Sequence, residues 1–426
     1  MRIALVSWNR QKLGGTEVYL DQIISELHHQ GHEVAFWHEV DEPKAAGQIA
    51  VPQTAPTWCV SELSEGAALK GLRNWAPDVI YAHGLTNPGL ESEVLKIAPA
   101  VFFAHSYYGT CISGGKSFAF PEVNPCQRSF GPQCLLHYYP HRCGGLNPLT
   151  MWRDYHRQRS RLELLSRYKA IVTMSAYMVK EYVNHGFDPN RLHNLAGYFG
   201  ANGTNEERVM RLETLRPGQG DATGAAPEIR GPLENDFHHL LFLGRMDYLK
   251  GGRVLCASLP HVCATLNRPV LVTFAGDGPD RKVWEKQAAR LQTLHDNLRI
   301  EFTGWVSPQR RDELLQRCHL LVVPSLWPEP FGLVGLEASS HGVPAVAFDV
   351  GGIKEWLWHG TNGFLASGNP ATPERLAVAI VKCFETPTAY ARLRRGAFAV
   401  GQVFSRRRHV HDLLTILRRA ATDSYR

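Results

Sequence analysis

Short apolar runs alternate along the chain with longer stretches in which apolar residues recur every three or four positions. RIALVS (2–7), EVAFWH (33–38), DVIYAHG (78–84), AVFFAHS (100–106) and AIVTMS (170–175) read as buried strands, each ending in polar or small residues. Between the first two, LGGTEVYLDQIISELHHQGH carries Val18, Ile23, Ile24 and Leu27 at roughly helical spacing, with Gly31 as a stop. Such alternation predicts a parallel sheet covered by helices on both faces. Residues 201–236 break it: they are polar, rich in Gly and Pro, and read as a linker or surface insertion. The pattern then restarts with HLLFLG (239–244), LVTFAG (271–276), RIEFTG (299–304), HLLVVPS (319–325) and PAVAFD (344–349). The expected fold class is α/β, with two doubly wound, Rossmann-like domains. The expected limits are 1–200 for the first domain, 201–236 for the linker, 237–403 for the second domain and 404–426 for a final helix. That helix, within SRRRHVHDLLTILRRAA, sets Val410, Leu413, Leu414 and Leu417 on one face, arginines elsewhere, and Ser405 as N-cap. Its short, Trp-free apolar face favours docking on the protein over lying on a membrane.

Composition narrows the class. A chain of 426 residues, 44% hydrophobic and 20% charged, suits a soluble two-domain protein, and no apolar run approaches the roughly 18 residues of a membrane span. MRIALVSW is too short an apolar start for a secretory signal. A formal charge of +6 is a modest excess, with no interleaved basic and aromatic tract, so no nucleic-acid partner is expected. The expected location is cytoplasmic; peripheral contact with the inner membrane face is the alternative that the basic final helix raises. Of nine cysteines, Cys111, Cys126, Cys134 and Cys143 fall in one segment (111–143), with His137 and His141 among them. Two readings stand for that segment. One is a structural zinc knot, although the CxxC pairs of such sites are lacking. The other is a loop of reduced cysteines serving as small apolar residues, or of disulfides in an oxidising compartment.

Ligands of open α/β sheets bind beyond the carboxyl ends of the strands, so the strand-end loops carry the candidate chemistry. LGGTE places Gly14 and Gly15 before a helix start, where backbone can approach an anion. GRMDYLKGG sets Arg245, a planar fork, and Lys250, a mobile point charge, where a diphosphate would suit them. In PSLWPEPFGLVGLE, Glu329 falls in a loop and Glu337 in the following helix, bracketing the N–H groups of Phe331, Gly332 and Leu333. These carboxylates are expected to accept from neutral hydroxyls on either side of an anion. His105 ends one strand of the first domain; His83, one strand earlier, is a candidate partner that orients it. GxGxxG is absent after both first strands, which disfavours a dinucleotide oxidoreductase.

GGTEVYLDQIISELHHQGHEV, GRMDYLKGG, FAGDGPDR, FTGWVS and PSLWPEPFGLVGLEASSHGVPAVAFDVGGIKEWLWHGTNGFLA, in this order, together resemble glycosyltransferase family 4, retaining enzymes with the GT-B fold. The resemblance implies two Rossmann-like domains facing a central cleft, with the final helix returning to the first domain. It implies a hexose-type sugar moved from a nucleotide-diphosphate sugar, UDP-linked being favoured, to a hydroxyl acceptor: a glycan, a lipid-linked sugar or a small molecule. On the matching residues, Arg245 and Lys250 would hold the diphosphate. Glu329 and the backbone of Phe331, Gly332 and Leu333 would meet the sugar and phosphate, Glu337 the ribose, and Val306 the base. Gly15 would let the first domain approach the diphosphate, and His105 would sit beside the sugar. Ser106 stands where many relatives have aspartate or glycine. No metal or other cofactor is expected in catalysis. The alternatives are a GT-B epimerase or phosphorylase, and a silent family member acting as a binding partner.

Overall fold

The computed structural model describes residues 1–12, 14–42, 47–198 and 237–422; the linker expected over 201–236 lies outside them. The chain forms two compact units: Met1–Pro121 with Cys126–Ala196 and Arg407–Arg426, and Glu122–Pro125 with Gly197–Arg406.

The first unit is built on seven strands: β1 (Arg2–Asn9), β2 (Glu33–Val40), β3 (Thr57–Cys59), β4 (Val79–Ala82), β5 (Ala100–Ala104), β6 (Ala170–Thr173) and β7 (Leu192–Asn194). Their order is β3-β2-β1-β4-β5-β6-β7, and every pairing is parallel, with Ile3 opposite Val34 on one side and Val79 on the other. Chain direction across the sheet reverses between β1 and β4, the position at which such sheets open a crevice at their carboxyl ends. Helix α1 (Gly15–His29) follows β1; α2 (Pro148–Leu165) and α3 (Ala176–Asn184) lie later in this unit. Helix α1 turns Tyr19, Leu20, Ile23, Ile24 and Leu27 into the core. Val18, expected on that face, is exposed, because the buried stripe runs one position further round.

The second unit has six strands: β8 (His238–Leu243), β9 (Val270–Ala275), β10 (Leu298–Gly304), β11 (Leu320–Val323), β12 (Ala345–Phe348) and β13 (Gly363–Ala366). Their order is β10-β9-β8-β11-β12-β13, again wholly parallel, and the reversal falls between β8 and β11. Helices α4 (Gly252–Thr265), α5 (Pro308–Arg317) and α6 (Val334–Ser340) follow β8, β10 and β11 respectively.

The last helix, α7 (Arg406–Ala421), belongs from Arg407 onwards to the first unit. Its Val410, Leu413, Leu414 and Leu417 are buried, a stripe worth about 1.5–3 kcal/mol per fully buried side chain. His409 fixes its start: Nδ1 lies 2.9 Å from the Ala196 carbonyl oxygen and Nε2 2.8 Å from the Tyr19 hydroxyl. This apolar face is therefore taken up by the protein. No helix among the described residues is long and apolar enough to cross a membrane.

Candidate active site

The loops after β8 and β11 meet at the reversal of the second sheet. After β8 the chain passes Arg245 and Asp247 into a single 3₁₀ turn, Tyr248–Lys250, whose Leu249 N–H donates to Asp247 Oδ1 at 3.1 Å. Gly251 follows at φ +70°, and a Cβ there would lie 1.8 Å from the Pro324 carbonyl oxygen. Leu326 N–H donates to the Leu249 carbonyl at 2.7 Å, so the two loops are tied backbone to backbone. Across this junction Lys250 Nζ donates to Glu329 Oε1 at 2.5 Å, and Ser325 Oγ donates to the same oxygen at 2.6 Å. The Lys250 ammonium also lies 5.2 Å from the Trp327 ring centroid. Glu329 is 5% exposed, and a carboxylate so enclosed needs these partners.

Glu329 is followed by the Pro-Phe-Gly turn. Trp356 Nε1 donates to the Phe331 carbonyl at 2.7 Å, and Gly352 N–H donates to the Glu329 carbonyl at 2.7 Å. Gly332 takes φ +89°, a conformation L side chains avoid. Helix α6 starts at Val334, and the N–H groups of Phe331, Gly332 and Leu333 donate no hydrogen bond among the described residues. One turn into the helix, Glu337 Oε1 lies 3.4 Å from Arg311 Nη1 on α5. Burial pushes the Glu337 carboxyl up to about 7, against the opposing charge of Arg311. Val306 is half-buried just before α5, whose N-cap Ser307 accepts from Arg310 N–H at 3.2 Å.

Not every expected residue joins this group. The Arg245 side chain is 71% exposed, with Nε 3.8 Å from Asp247 Oδ2, and among the described residues it forms no ion pair with Glu329. Gly15 is the exposed first residue of α1, and His105 follows β5; both lie in the first unit. There the His83 and His105 rings meet, Nδ1 to Nε2, at 2.8 Å. Burial holds His105 down at about 3 and His83 well below the ordinary histidine value. Burial thus disfavours a positive charge on either ring. Sequence reasoning did not find Tyr19, which stacks on Phe103 at 4.8 Å, meets the His105 ring edge-on at 5.5 Å and hydrogen-bonds the Tyr81 hydroxyl at 2.8 Å. It also did not find Ser325, Trp327, Arg311 or Trp356, which position the two glutamates and the turn between them.

Residues 13–194 match the family model described as Glycosyltransferase Family 4, and residues 238–386 the model described as Glycosyl transferases group 1. Among solved structures, Anabaena HepE in complex with UDP and glucose aligns with a TM-score of 0.65 at 20% identity, over 98% of this chain and 99% of that one. The fold is the GT-B fold. The chain belongs to glycosyltransferase family 4. An uncharacterized glycosyltransferase of Methanocaldococcus jannaschii is 32% identical over 145 residues, 34% of this chain and 35% of that one. D-inositol 3-phosphate glycosyltransferase 1 of Catenulispora acidiphila is 34% identical over 220 residues, 49% of this chain and 50% of that one. The chain thus spans from about a third to a half of the length of these curated relatives.

The Glu337 geometry gives a pH prediction. A carboxyl whose pKa is raised on folding binds its proton more tightly in the folded state. Its contribution therefore favours folding below the ordinary 4.5 and is lost as pH rises to about 7. Glu337→Gln removes that loss, so the variant should gain stability relative to the natural protein between pH 4.5 and 8. Melting curves across that range, showing parallel profiles for the two proteins, would refute it.

Proposed function

We propose that the chain is a retaining glycosyltransferase that moves a hexose from a nucleotide-diphosphate sugar to a hydroxyl acceptor in glycan, cell-envelope or glycoconjugate synthesis. The observation that carries this reading is the Lys250–Glu329 pair at the sheet reversal of the second unit. A diphosphate competes for the Lys250 ammonium. Once Lys250 turns to it, Glu329 keeps the Ser325 hydroxyl and is free to accept from hydroxyls of the transferred sugar. Arg245, exposed to solvent, brings its planar fork to the phosphates on binding. The backbone N–H groups of Phe331, Gly332 and Leu333 meet phosphate and sugar, Glu337 accepts from the ribose hydroxyls, and Val306 touches the base.

Bond breaking at the anomeric carbon leaves positive charge on the sugar ring and gathers negative charge on the departing diphosphate. Lys250 and Arg245 are set to stabilise that charge, a kind of term that usually dominates in such reactions. The acceptor oxygen attacks from the face that the diphosphate leaves, and a leaving phosphate oxygen takes its proton, so configuration is retained. The proposed parts of Gly15, beside the diphosphate, and of His105, beside the sugar, rest on the family resemblance. UDP is favoured as the carrier because the solved HepE carries UDP and glucose.

The test is a thermal-shift screen of the purified chain against nucleotide-sugars, with an Arg245→Ala, Lys250→Ala double variant run beside it. At least one donor, a UDP-sugar by expectation, should stabilise the natural protein and leave the variant unmoved, and should be consumed when an acceptor is supplied. A panel in which no nucleotide-sugar shifts the natural protein would remove the reading.

A further inference from the structure

The nine cysteines fall into two environments. Cys59, Cys256, Cys263, Cys318 and Cys383 are buried, as small apolar side chains are. Cys111, Cys126, Cys134 and Cys143 are half-buried, and all four face one cavity of about 30 Å³ in the first unit, together with His137 and Arg128. The four are free thiols. They are brought together from positions 15, 8 and 9 residues apart (126 − 111, 134 − 126, 143 − 134).

The segment that carries them has little else to hold it. From residue 111 to 147 the only buried apolar side chains are Ile112 and Tyr138. With Tyr155 of α2 these form a small cluster of their own, flanked by Phe130, Cys134, Leu135, Cys143 and Met151. A stretch of this length with so small a core needs a covalent or metal staple to keep one conformation. The polar ties to the rest of the unit are few: the Lys116–Glu181 ion pair, Ser129 Oγ donating to the Asn184 carbonyl at 3.2 Å, and Phe130 N–H donating to His185 Nε2 at 2.8 Å.

The geometry points to a structural zinc site in which Cys111, Cys126, Cys134 and Cys143 close on one ion. The cavity has room for an ion, and four thiolates are a complete tetrahedral donor set for Zn²⁺ at about 2.3 Å. Lys116 N–H already donates to Cys111 Sγ at 3.2 Å, an outer contact of the kind that steadies a metal-bound thiolate. Among the described residues no three His, Cys, Asp or Glu side chains yet stand in coordinating positions, so capture draws the sulfurs inward onto the cavity. Each ligand releases its S–H proton to solvent. The resulting double negative charge lies next to Lys116 and Arg128, which line the same cavity. His137 shares the cavity but is left out of the ligand set. The proposal uses none of the residues assigned to the donor, and its failure would leave the transferase reading intact.

The test is metal analysis of the full chain, purified under reducing conditions and dialysed against metal-free buffer. The expected result is about one zinc per chain. Removal of zinc by a chelator should expose four thiols to a thiol reagent and lower the melting temperature. Cobalt(II) added back to the stripped chain should give sulfur-to-cobalt charge-transfer absorption. A Cys126→Ser, Cys134→Ser double variant should lose the metal, whereas Cys256→Ser and His137→Ala should keep it. Should the double variant fail to fold, Cys111→Ser and Cys143→Ser singly should each abolish the cobalt charge-transfer pattern of four sulfurs. A reduced chain without zinc that gives no cobalt absorption overturns the proposal. So does an intact mass four hydrogens light, which marks two disulfides, or metal retained by the double variant.

Discussion

Lys250→Ala is expected to lower the rate of sugar transfer by roughly 100- to 1,000-fold, by analogy with the loss when one preorganised oxyanion donor is removed from an acyl-transfer enzyme. The substitution has two consequences that must be separated. It takes away the cation set to face the departing diphosphate. It also leaves Glu329, 5% exposed, with Ser325 as its one remaining side-chain hydrogen-bond donor among the described residues, and an enclosed carboxylate without its counter-charge costs stability. Adding Glu329→Gln removes the stranded charge. The pair of substitutions should therefore recover much of the melting temperature lost in Lys250→Ala without recovering transfer. Initial rates and melting curves on the three proteins decide the matter. Transfer within about threefold of the natural rate in Lys250→Ala would place the charge-stabilising term elsewhere. Recovery of transfer in the double variant would mean that Lys250 acts only by keeping Glu329 in place. Arg245→Ala alone is a weaker probe, because this side chain is largely in solvent.

That pair shows where reading the sequence stops. Lys250 and Glu329 were legible separately, each from its place at a strand end, but they are 79 positions apart. Their meeting depends on β8 lying beside β11, a fact of sheet order that no local pattern contains. The same holds for Tyr19 and His409, 390 positions apart, whose contact requires the last helix to return to the first unit. Ten strands were visible as apolar runs because a parallel sheet buries both of its faces. Three strands of the two large sheets were not, for local reasons. β3 is only Thr57–Cys59, in a stretch without motif support; Leu192–Asn194 holds a single apolar residue; and Gly363–Ala366 opens on a glycine inside a turn-rich segment. The cysteine segment defeated sequence reading differently. Its spacing has none of the paired cysteines that announce a metal site, and only folding shows that all four thiols face one cavity. Glu337 was legible as a helical carboxylate, but its raised pKa comes from burial beside α5, which appears only when the helices pack.

Gly251→Ala is expected to cost the second unit substantial stability, and it also tests how Lys250 is held. Two penalties add. At φ +70° an alanine Cβ costs about 1–2 kcal/mol in backbone strain. That Cβ would further meet the Pro324 carbonyl oxygen at 1.8 Å, and a carbonyl fixed in the chain cannot rotate away as a side chain could. Together these should reach on the order of 3 kcal/mol, a fall of roughly 6–12 °C in melting temperature for a unit of this size. Gly360 provides the control. It has a similar φ of +78° with nothing within 4 Å of an added Cβ, so Gly360→Ala carries the strain without the clash and should lose only about a third to two thirds as much. The difference between the two variants measures the contact between the loops after β8 and β11. Relief of the clash has to push Pro324 outward, and Ser325 and Glu329 move with it, away from Lys250. Donor-induced thermal shift should therefore weaken in Gly251→Ala and persist in Gly360→Ala. If both variants melt together and bind donor alike, the loops have slack, and the Lys250–Glu329 distance is set by those two side chains and not by the backbone beneath them.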